Sequence, residues 1–102
     1  MALFARITSN GTDKIPVHAF GAALRLMAMG NLTRQNVIDS FALSGTDITE
    51  LDAIIATYNA RPTNNTGNII IKAQWPDKLE DVFILCETGR LTEAQAKSFL
   101  GF

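Results

Sequence analysis

Residues 16–33 read PVHAFGAALRLMAMGNLT, and the pattern in this stretch decides the fold. Its apolar residues recur every three or four positions, which is the spacing of one face of a helix. Pro16 is tolerated in a first helical turn, and Gly30 suits the left-handed residue that ends a helix. The stretch therefore predicts a helix over residues 16–29. Because few polar residues interrupt it, we expect neighbouring elements to cover it on several sides.

The residues that end this predicted helix and begin the next one form a helix corner, and a similar corner occurs later in the chain. Gly30-Asn31-Leu32-Thr33 and Gly89-Arg90-Leu91-Thr92 agree at three of four positions, 59 residues apart. In both, glycine ends one helix, leucine packs on the next and threonine caps it. An internal duplication is one explanation, and the demands of any tight helix corner are the other. Either explanation predicts two helical hairpins that share one core.

The spacing of apolar residues and helix caps in the rest of the chain predicts an all-α domain over residues 1–102. It contains four to five short helices in two corner-joined helical hairpins, with an extended N-terminal arm. Residues 1–14 form the arm and a turn, with a minimal β-hairpin at Asn10-Gly11 as the alternative. Residues 15–60 hold the first three helices, residues 61–75 form a loop and residues 76–102 form the C-terminal hairpin. Ile69-Ile70-Ile71 is ambiguous between strand and helix. Besides the helix over 16–29, we predict helices over residues 33–43, 48–60, 76–87 and 92–99.

Composition narrows the function class. Nine basic and ten acidic residues among 102 give a net charge of −1, so nothing indicates a cationic surface for nucleic acid or an anionic membrane. The single cysteine excludes a disulfide scaffold, and no apolar run approaches the roughly 20 residues of a membrane span. No secretory signal is visible, so we expect synthesis in the cytoplasm.

Few residues could carry out chemistry. The only histidine, His18, lies in the first turn of an apolar helix, where we expect a cap or rim role. The only cysteine, Cys86, lies on an apolar stripe and is expected to be an inert core residue. Neither a zinc site nor a calcium loop can be assembled, and we assign Asp47, Glu50 and Asp52 to helix capping. We therefore expect no enzyme activity, no cofactor and no small-molecule substrate.

The sequence also contains a candidate helix-turn-helix motif, which would indicate DNA binding. The segment from Thr33 to Tyr58 predicts a helix, a turn at Gly45 and a second helix. In such motifs the start of the second helix faces base edges. Here that start carries three acidic residues, which would repel phosphates. The sequence therefore argues against DNA binding.

Apolar side chains are concentrated near the chain ends and beside the loop. We expect four short helices to be too small to cover them all, and large exposed apolar patches mark interfaces. The expected interface with copies of the chain or another protein consists of Leu3, Phe4, Ile7, Ile70, Trp75, Phe99, Leu100 and Phe102.

The runs GTDKIPVH at residues 11–18, LTRQNVI at 32–38 and TELD at 49–52 resemble small helical proteins encoded by tailed bacteriophages. The resemblance implies a virion or assembly role and assigns no functional residue. We therefore expect a non-enzymatic structural protein of a bacteriophage particle, located in the virion. It would bind itself or a larger virion protein through the arm and the C-terminal aromatics. A phage-encoded regulator or inhibitor that binds a host protein is the alternative.

Overall fold

The fold is helical throughout the part that the structure, a computed structural model, describes, namely residues 3–64 and 71–100. No strand occurs in these ranges, so the all-α prediction is confirmed. The described residues form six α-helices and one short 3-10 helix, so the predicted number of four to five helices is wrong. They are α1 (Leu3–Thr8), α2 (Val17–Ala28), α3 (Arg34–Ser40), α4 (Thr46–Asn59), the 3-10 helix (Lys72–Gln74), α5 (Trp75–Glu87) and α6 (Glu93–Leu100).

The core is built around the contact between α2 and α5, and α1 packs against α5 and α4. Phe83 of α5 lies at its centre, with its ring centroid 5.3 Å from that of Phe4 and 5.8 Å from that of Phe20. Phe20 also meets Phe41 edge to face at 5.2 Å. Aromatic rings at these separations add to the free energy gained from burying their surface.

The helix corners form as the sequence predicts. Gly30 and Gly89 have φ of 81° and 78°, the left-handed conformation that favours glycine. In each corner the next residue donates its amide to the carbonyl five positions back, at 2.8 Å. This is the 6→1 hydrogen bond of the Schellman motif. The two corners therefore end α2 and α5 in the same way.

The helices that follow the corners are capped alike. Thr33 accepts a hydrogen bond from the Asn36 amide at 3.1 Å and donates its own amide to the Asn36 side chain at 2.9 Å. Thr92 and Gln95 repeat this exchange at 3.1 and 3.0 Å. Both predicted threonine caps are confirmed, and each is reinforced by the side chain three residues on.

The predicted N-terminal arm is wrong for the described residues, because Leu3–Thr8 is a helix. Leu3, Phe4 and Ile7 are at most 2% exposed, since they form one face against α4 and α5. The turn that follows forms, with the Lys14 amide bonded to the Gly11 carbonyl at 3.3 Å. No strand flanks it, so the β-hairpin alternative is also wrong. Burial of an apolar face outweighs the weak helix preference of six residues.

Arg6 fixes α1 to the turn between α3 and α4. Its guanidinium donates to the Asp47 carboxylate at 2.9 Å and to the Phe41 carbonyl at 2.9 Å. It also donates to the Asp13 carbonyl at 2.8 Å. One side chain thus satisfies a helix C-terminus, a loop carbonyl and a buried carboxylate.

The other boundaries shift by a few residues. The second predicted helix ends at Ser40 instead of 43, and the third begins at Thr46 instead of 48. The predicted 61–75 loop contains the 3-10 helix, and its last residue, Trp75, already belongs to α5. Ile69 and Ile70 lie outside the described residues, while Ile71 is extended and precedes the 3-10 helix.

Candidate functional site

Most of the predicted interface residues lie inside this chain's own core. Phe99 is different, because it is 62% exposed on α6. Ile70 and Phe102 lie outside the described residues. The expected surplus of uncovered side chains does not exist for the buried members of the set. They are Leu3, Phe4, Ile7, Trp75 and Leu100, each at most 2% exposed.

Apolar surface is instead exposed near the end of α2. Leu26 is 38% exposed and Met29, just after the helix, is 65% exposed. Neither belongs to the core-facing stripe of this helix, which contains Phe20, Leu24 and Met27. One apolar face of α2 therefore packs in the core, and a second apolar face is exposed to solvent.

Beside this surface lies a groove between α2, α4 and α5. It encloses about 290 Å³ between the C-terminal halves of α2 and α4 and the first turns of α5. Its lining is largely apolar and includes a flexible thioether and two aromatic rings. The side chains that shape it most are Leu24, Met27, Ile55, Tyr58, Trp75 and Pro76. We call this feature the α2–α4–α5 groove.

A second depression of about 310 Å³ continues the groove along the surface. Ala28, Tyr58 and Pro76 line both, so the two form one continuous surface. The second depression adds the exposed Met29 and a set of charged side chains. The α2–α4–α5 groove is therefore an apolar channel with a charged border.

Two basic side chains lie over aromatic rings that line the groove. Lys72 Nζ lies 5.7 Å from the centroid of the Tyr58 ring, and the Arg61 guanidinium lies 5.4 Å from that of the Trp75 ring. Both distances are within the range of cation–π attraction. Lys72 forms no ion pair with any residue in the ranges 3–64 and 71–100. Its positive charge is therefore uncompensated in the described part of the chain.

Arg25, which lines the second depression, is paired with two carboxylates, so this cluster carries one excess negative charge. Arg25 donates to the Asp77 carboxylate at 2.6 Å and to both Glu80 oxygens, at 2.8 and 3.2 Å. The hydrogen bonds that Arg25 donates, first to Glu80 and then to Asp77, raise the pKa of Arg25 above its usual range. This cluster ties α2 to α5 beside the groove.

The acidic residues at the start of α4 do not cap it as predicted. The N-cap is Gly45, and no side chain bonds to the first amides. Asp47 is bonded to Arg6 instead, and its side chain is 2% exposed. The local sequence resembles a capping box, but the partly buried guanidinium of Arg6 is the stronger partner for this carboxylate.

The other two acids also have tertiary partners. Glu50 accepts a hydrogen bond from the Leu3 amide at 2.8 Å, and burial is the main reason that its pKa is raised. Asp52 accepts from Arg34 at 2.7 Å, which lowers its pKa. Because Asp47 and Glu50 are buried, these two side chains are not available at the surface of α4.

The two most reactive residue types stay apart from the groove lining. Cys86 is 4% exposed and burial raises the pKa of its thiol, as expected for a core residue. His18 is exposed in the first turn of α2, with Nδ1 3.9 Å from Glu80 Oε1. Among the described residues, no three His, Cys, Asp or Glu side chains are grouped closely enough to hold a metal ion. In the same ranges no helix is both long enough and apolar enough to cross a membrane.

Comparison with known protein families, with curated proteins and with solved structures finds no match to this chain. The groove was not predicted from the sequence, because its lining comes from three helices that are distant along the chain. Leu26 and Met29 were the available signal, since they are apolar residues away from the core-facing stripe of α2.

Proposed function

We propose that this chain is a non-enzymatic structural protein of a bacteriophage particle that binds itself or a larger virion protein. The α2–α4–α5 groove is the observation that supports binding best. It offers about 290 Å³ of largely apolar space next to exposed Met29. Concave apolar surfaces of this kind usually receive the side chains of a partner. The resemblance to small helical phage proteins supports the particle as the place where binding occurs.

The mechanism differs from the one expected from the sequence. The residues of the predicted arm remain in the core, where α1 supports α4 and α5 and so helps to shape the groove. The partner contributes the inserted side chains, and the groove receives them. Binding then removes apolar surface from water on both sides, at about 25 cal/mol per Å². Phe99 is the described member of the predicted C-terminal aromatics that remains exposed, and it is a second candidate contact.

Quantitative mass spectrometry of purified particles tests this proposal. The particles should be prepared from the bacteriophage that encodes the chain, with the wild-type sequence and with Ala28→Gln and Ala22→Gln. Ala28 lines both parts of the groove, so glutamine there fills it without adding charge. Ala22 is exposed on the same helix and does not line the groove, which makes it a matched control. Glutamine is a good helix former at both positions.

We expect the wild-type chain and Ala22→Gln in particles at equal abundance. Ala28→Gln should be depleted by about tenfold, which is typical of blocking a central contact. Urea unfolding of the purified variants must show that both fold. Absence of the chain from particles would contradict the virion role, and equal incorporation of folded Ala28→Gln would contradict the groove as the contact.

A further inference from the structure

We propose that the α2–α4–α5 groove corresponds, by an internal two-fold relation of the fold, to the site that α1 fills, and that its occupant is a short helix of another protein with the apolar pattern of α1. This inference rests on the proposed function, because it specifies the partner that the groove receives. It is carried by the equivalence of two helix pairs, by the packing of α2 on α5 and by the contacts of α1.

The helix pair α2–α3 and the helix pair α5–α6 have equivalent structures, 59 residues apart. Both corners contain a left-handed glycine, and both following helices carry the same threonine cap. Residues that this offset pairs are also buried alike, each at most 8% exposed. The pairs are Phe20 and Leu79, Ala23 and Val82, Leu24 and Phe83, and Val37 and Ala96. The offset therefore relates equivalent positions of the two helix pairs.

The packing of α2 on α5 places a two-fold axis between these two equivalent helices. Gly21 and Glu80 are related by the same offset, and they lie so close that a Cβ atom at Gly21 would be 2.8 Å from Glu80 Cδ. In a two-fold arrangement, a position that contacts its own equivalent lies on the axis. Arg25, after Gly21, pairs with Asp77, before Glu80, so the two helices run antiparallel across this axis.

On one side of the axis, α1 fills a site between the C-terminal half of α5 and the start of α2. The Phe4 ring lies 5.3 Å, centroid to centroid, from that of Phe83 in α5. The amide of Ile15, just before α2, donates to the Arg6 carbonyl of α1 at 3.2 Å. Since α1 also packs against α4, three helices form the walls of this site.

The groove lies at the equivalent place on the other side of the axis. There the C-terminal half of α2 takes the position of that of α5, and the start of α5 takes the position of the start of α2. Leu24, the equivalent of Phe83, lines the groove, and so do Trp75 and Pro76 at the start of α5. The C-terminal half of α4 forms the third wall. Within residues 3–64 and 71–100, no helix fills this second site as α1 fills the first.

The contacts of α1 define the helix that the groove would receive. α1 buries an adjacent pair, Leu3 and Phe4, and a third apolar residue, Ile7, each at most 2% exposed. An engineered apolar cavity of about 150 Å³ accepts a benzene molecule, so the groove of about 290 Å³ accommodates one or two such side chains. A helix also satisfies its own amides and carbonyls, for which the apolar walls offer no partners.

A second copy of this chain does not offer such a helix. Its α1 is part of its own core, where Arg6 is bonded to Asp47 at 2.9 Å. On the described residues of α6, Phe99 is the exposed large apolar residue, and it has no exposed large apolar neighbour on that helix. The occupant is therefore a helix of a different protein.

Trp75 reports binding, because it is the only tryptophan of the chain and it lines the groove. The probe, called the α1 peptide, is a synthetic peptide of about 15 residues in which LFARIT, the sequence of α1, lies between alanine-rich flanks that favour a helix. In the control peptide, serine replaces the residues that correspond to Leu3, Phe4 and Ile7. Both peptides are titrated into the wild-type chain, Ala28→Gln and Ala22→Gln, and the fluorescence of Trp75 is followed.

We expect saturable binding of the α1 peptide to the wild-type chain and to Ala22→Gln, and no binding of the serine peptide at the same concentrations. Ala28→Gln should weaken binding by about tenfold, since glutamine there fills the groove and leaves the site of α1 unchanged. No binding to the wild-type chain, or equal binding of the two peptides, would overturn the inference. Unchanged affinity for folded Ala28→Gln would overturn it too, because the peptide would then bind outside the groove.

Self-association through the groove would be a further contrary result. A concentration-dependent change in the Trp75 emission of the chain alone that Ala28→Gln abolishes would identify a second copy as the occupant. The particle experiment separates this inference from the proposed function. Depletion of Ala28→Gln from particles without binding of the α1 peptide would refute the helical occupant and leave the virion role intact. Binding of the α1 peptide by a chain that is absent from particles would refute the virion role alone.

Discussion

Gly21→Ala should destabilise this protein, although glycine-to-alanine changes inside helices usually stabilise. Gly21 lies in the middle of α2, where it faces α5. A Cβ atom at this position would clash with Glu80 Oε1 and would lie 2.8 Å from its Cδ. Glu80 cannot move away freely, because Arg25 holds both of its carboxylate oxygens. The Arg25–Glu80 ion pair thus occupies the space that a side chain at position 21 would need.

The magnitude follows from two opposing contributions. In a helix interior without crowding, alanine is worth about 1 kcal/mol over glycine. Displacing Glu80 costs two charge-assisted hydrogen bonds to Arg25, whose side chain is 37% exposed. With that exposure taken into account, the loss is about 2 kcal/mol. The net effect of Gly21→Ala is therefore a destabilisation of about 1 kcal/mol.

Urea unfolding, followed by circular dichroism and by Trp75 fluorescence, measures this effect. Glu80→Ala removes the obstructing carboxylate, so in that background Gly21→Ala should stabilise by about 1 kcal/mol. The double-mutant cycle then gives a coupling free energy of about 2 kcal/mol between the two sites. The reasoning is refuted if Gly21→Ala stabilises the protein by the same amount in both backgrounds.

Three further predictions concern the core network and the caps. Arg6→Ala should lower the free energy of unfolding by about 3–5 kcal/mol, because it leaves the Asp47 carboxylate buried without its cation. The double variant Arg6→Ala with Asp47→Ala should recover part of this loss, and a loss below about 1 kcal/mol for Arg6→Ala in urea unfolding would contradict the prediction. Burial raises the pKa of Glu50 in the folded protein, so the stability that its protonated form contributes is lost as the pH rises through this pKa. Between the ordinary pKa of 4.5 and neutral pH, the wild type should therefore become less stable relative to Glu50→Gln, and a stability difference that does not change with pH would contradict this. Thr33→Ala and Thr92→Ala should each cost about 1 kcal/mol, with the serine variants as near-neutral controls, and thermal unfolding that is unchanged in the alanine variants would show that the caps are dispensable.

Local chemistry explains which parts of the fold are predictable from the sequence. Gly30 and Gly89 end their helices because the left-handed conformation there is inexpensive for glycine alone, and Thr33 cap formation depends on residues within three positions. Such features need no knowledge of distant elements. The sequence therefore predicts the all-α class and both helix corners.

The failures concern residues whose partners are distant along the chain. Residues 3–8 form a helix because α4 and α5 bury their apolar face and because Glu50, 47 positions away, accepts the Leu3 amide. Asp47 is hydrogen-bonded to Arg6, which lies 41 positions earlier, and so the apparent capping box does not form. The α2–α4–α5 groove is unpredictable for the same reason, since its walls meet through the packing of three separate helices.

Hydroxyl-radical footprinting of the chain, free and within purified particles, tests the central claim most directly. Met29 is 65% exposed beside the groove, and Met27 lies in its lining, so both report on whether the α2–α4–α5 groove is covered. We predict that both methionines oxidise several-fold more slowly in particles than in the free chain. Oxidation of Met29 at the same rate in both states would contradict a groove that receives a virion partner.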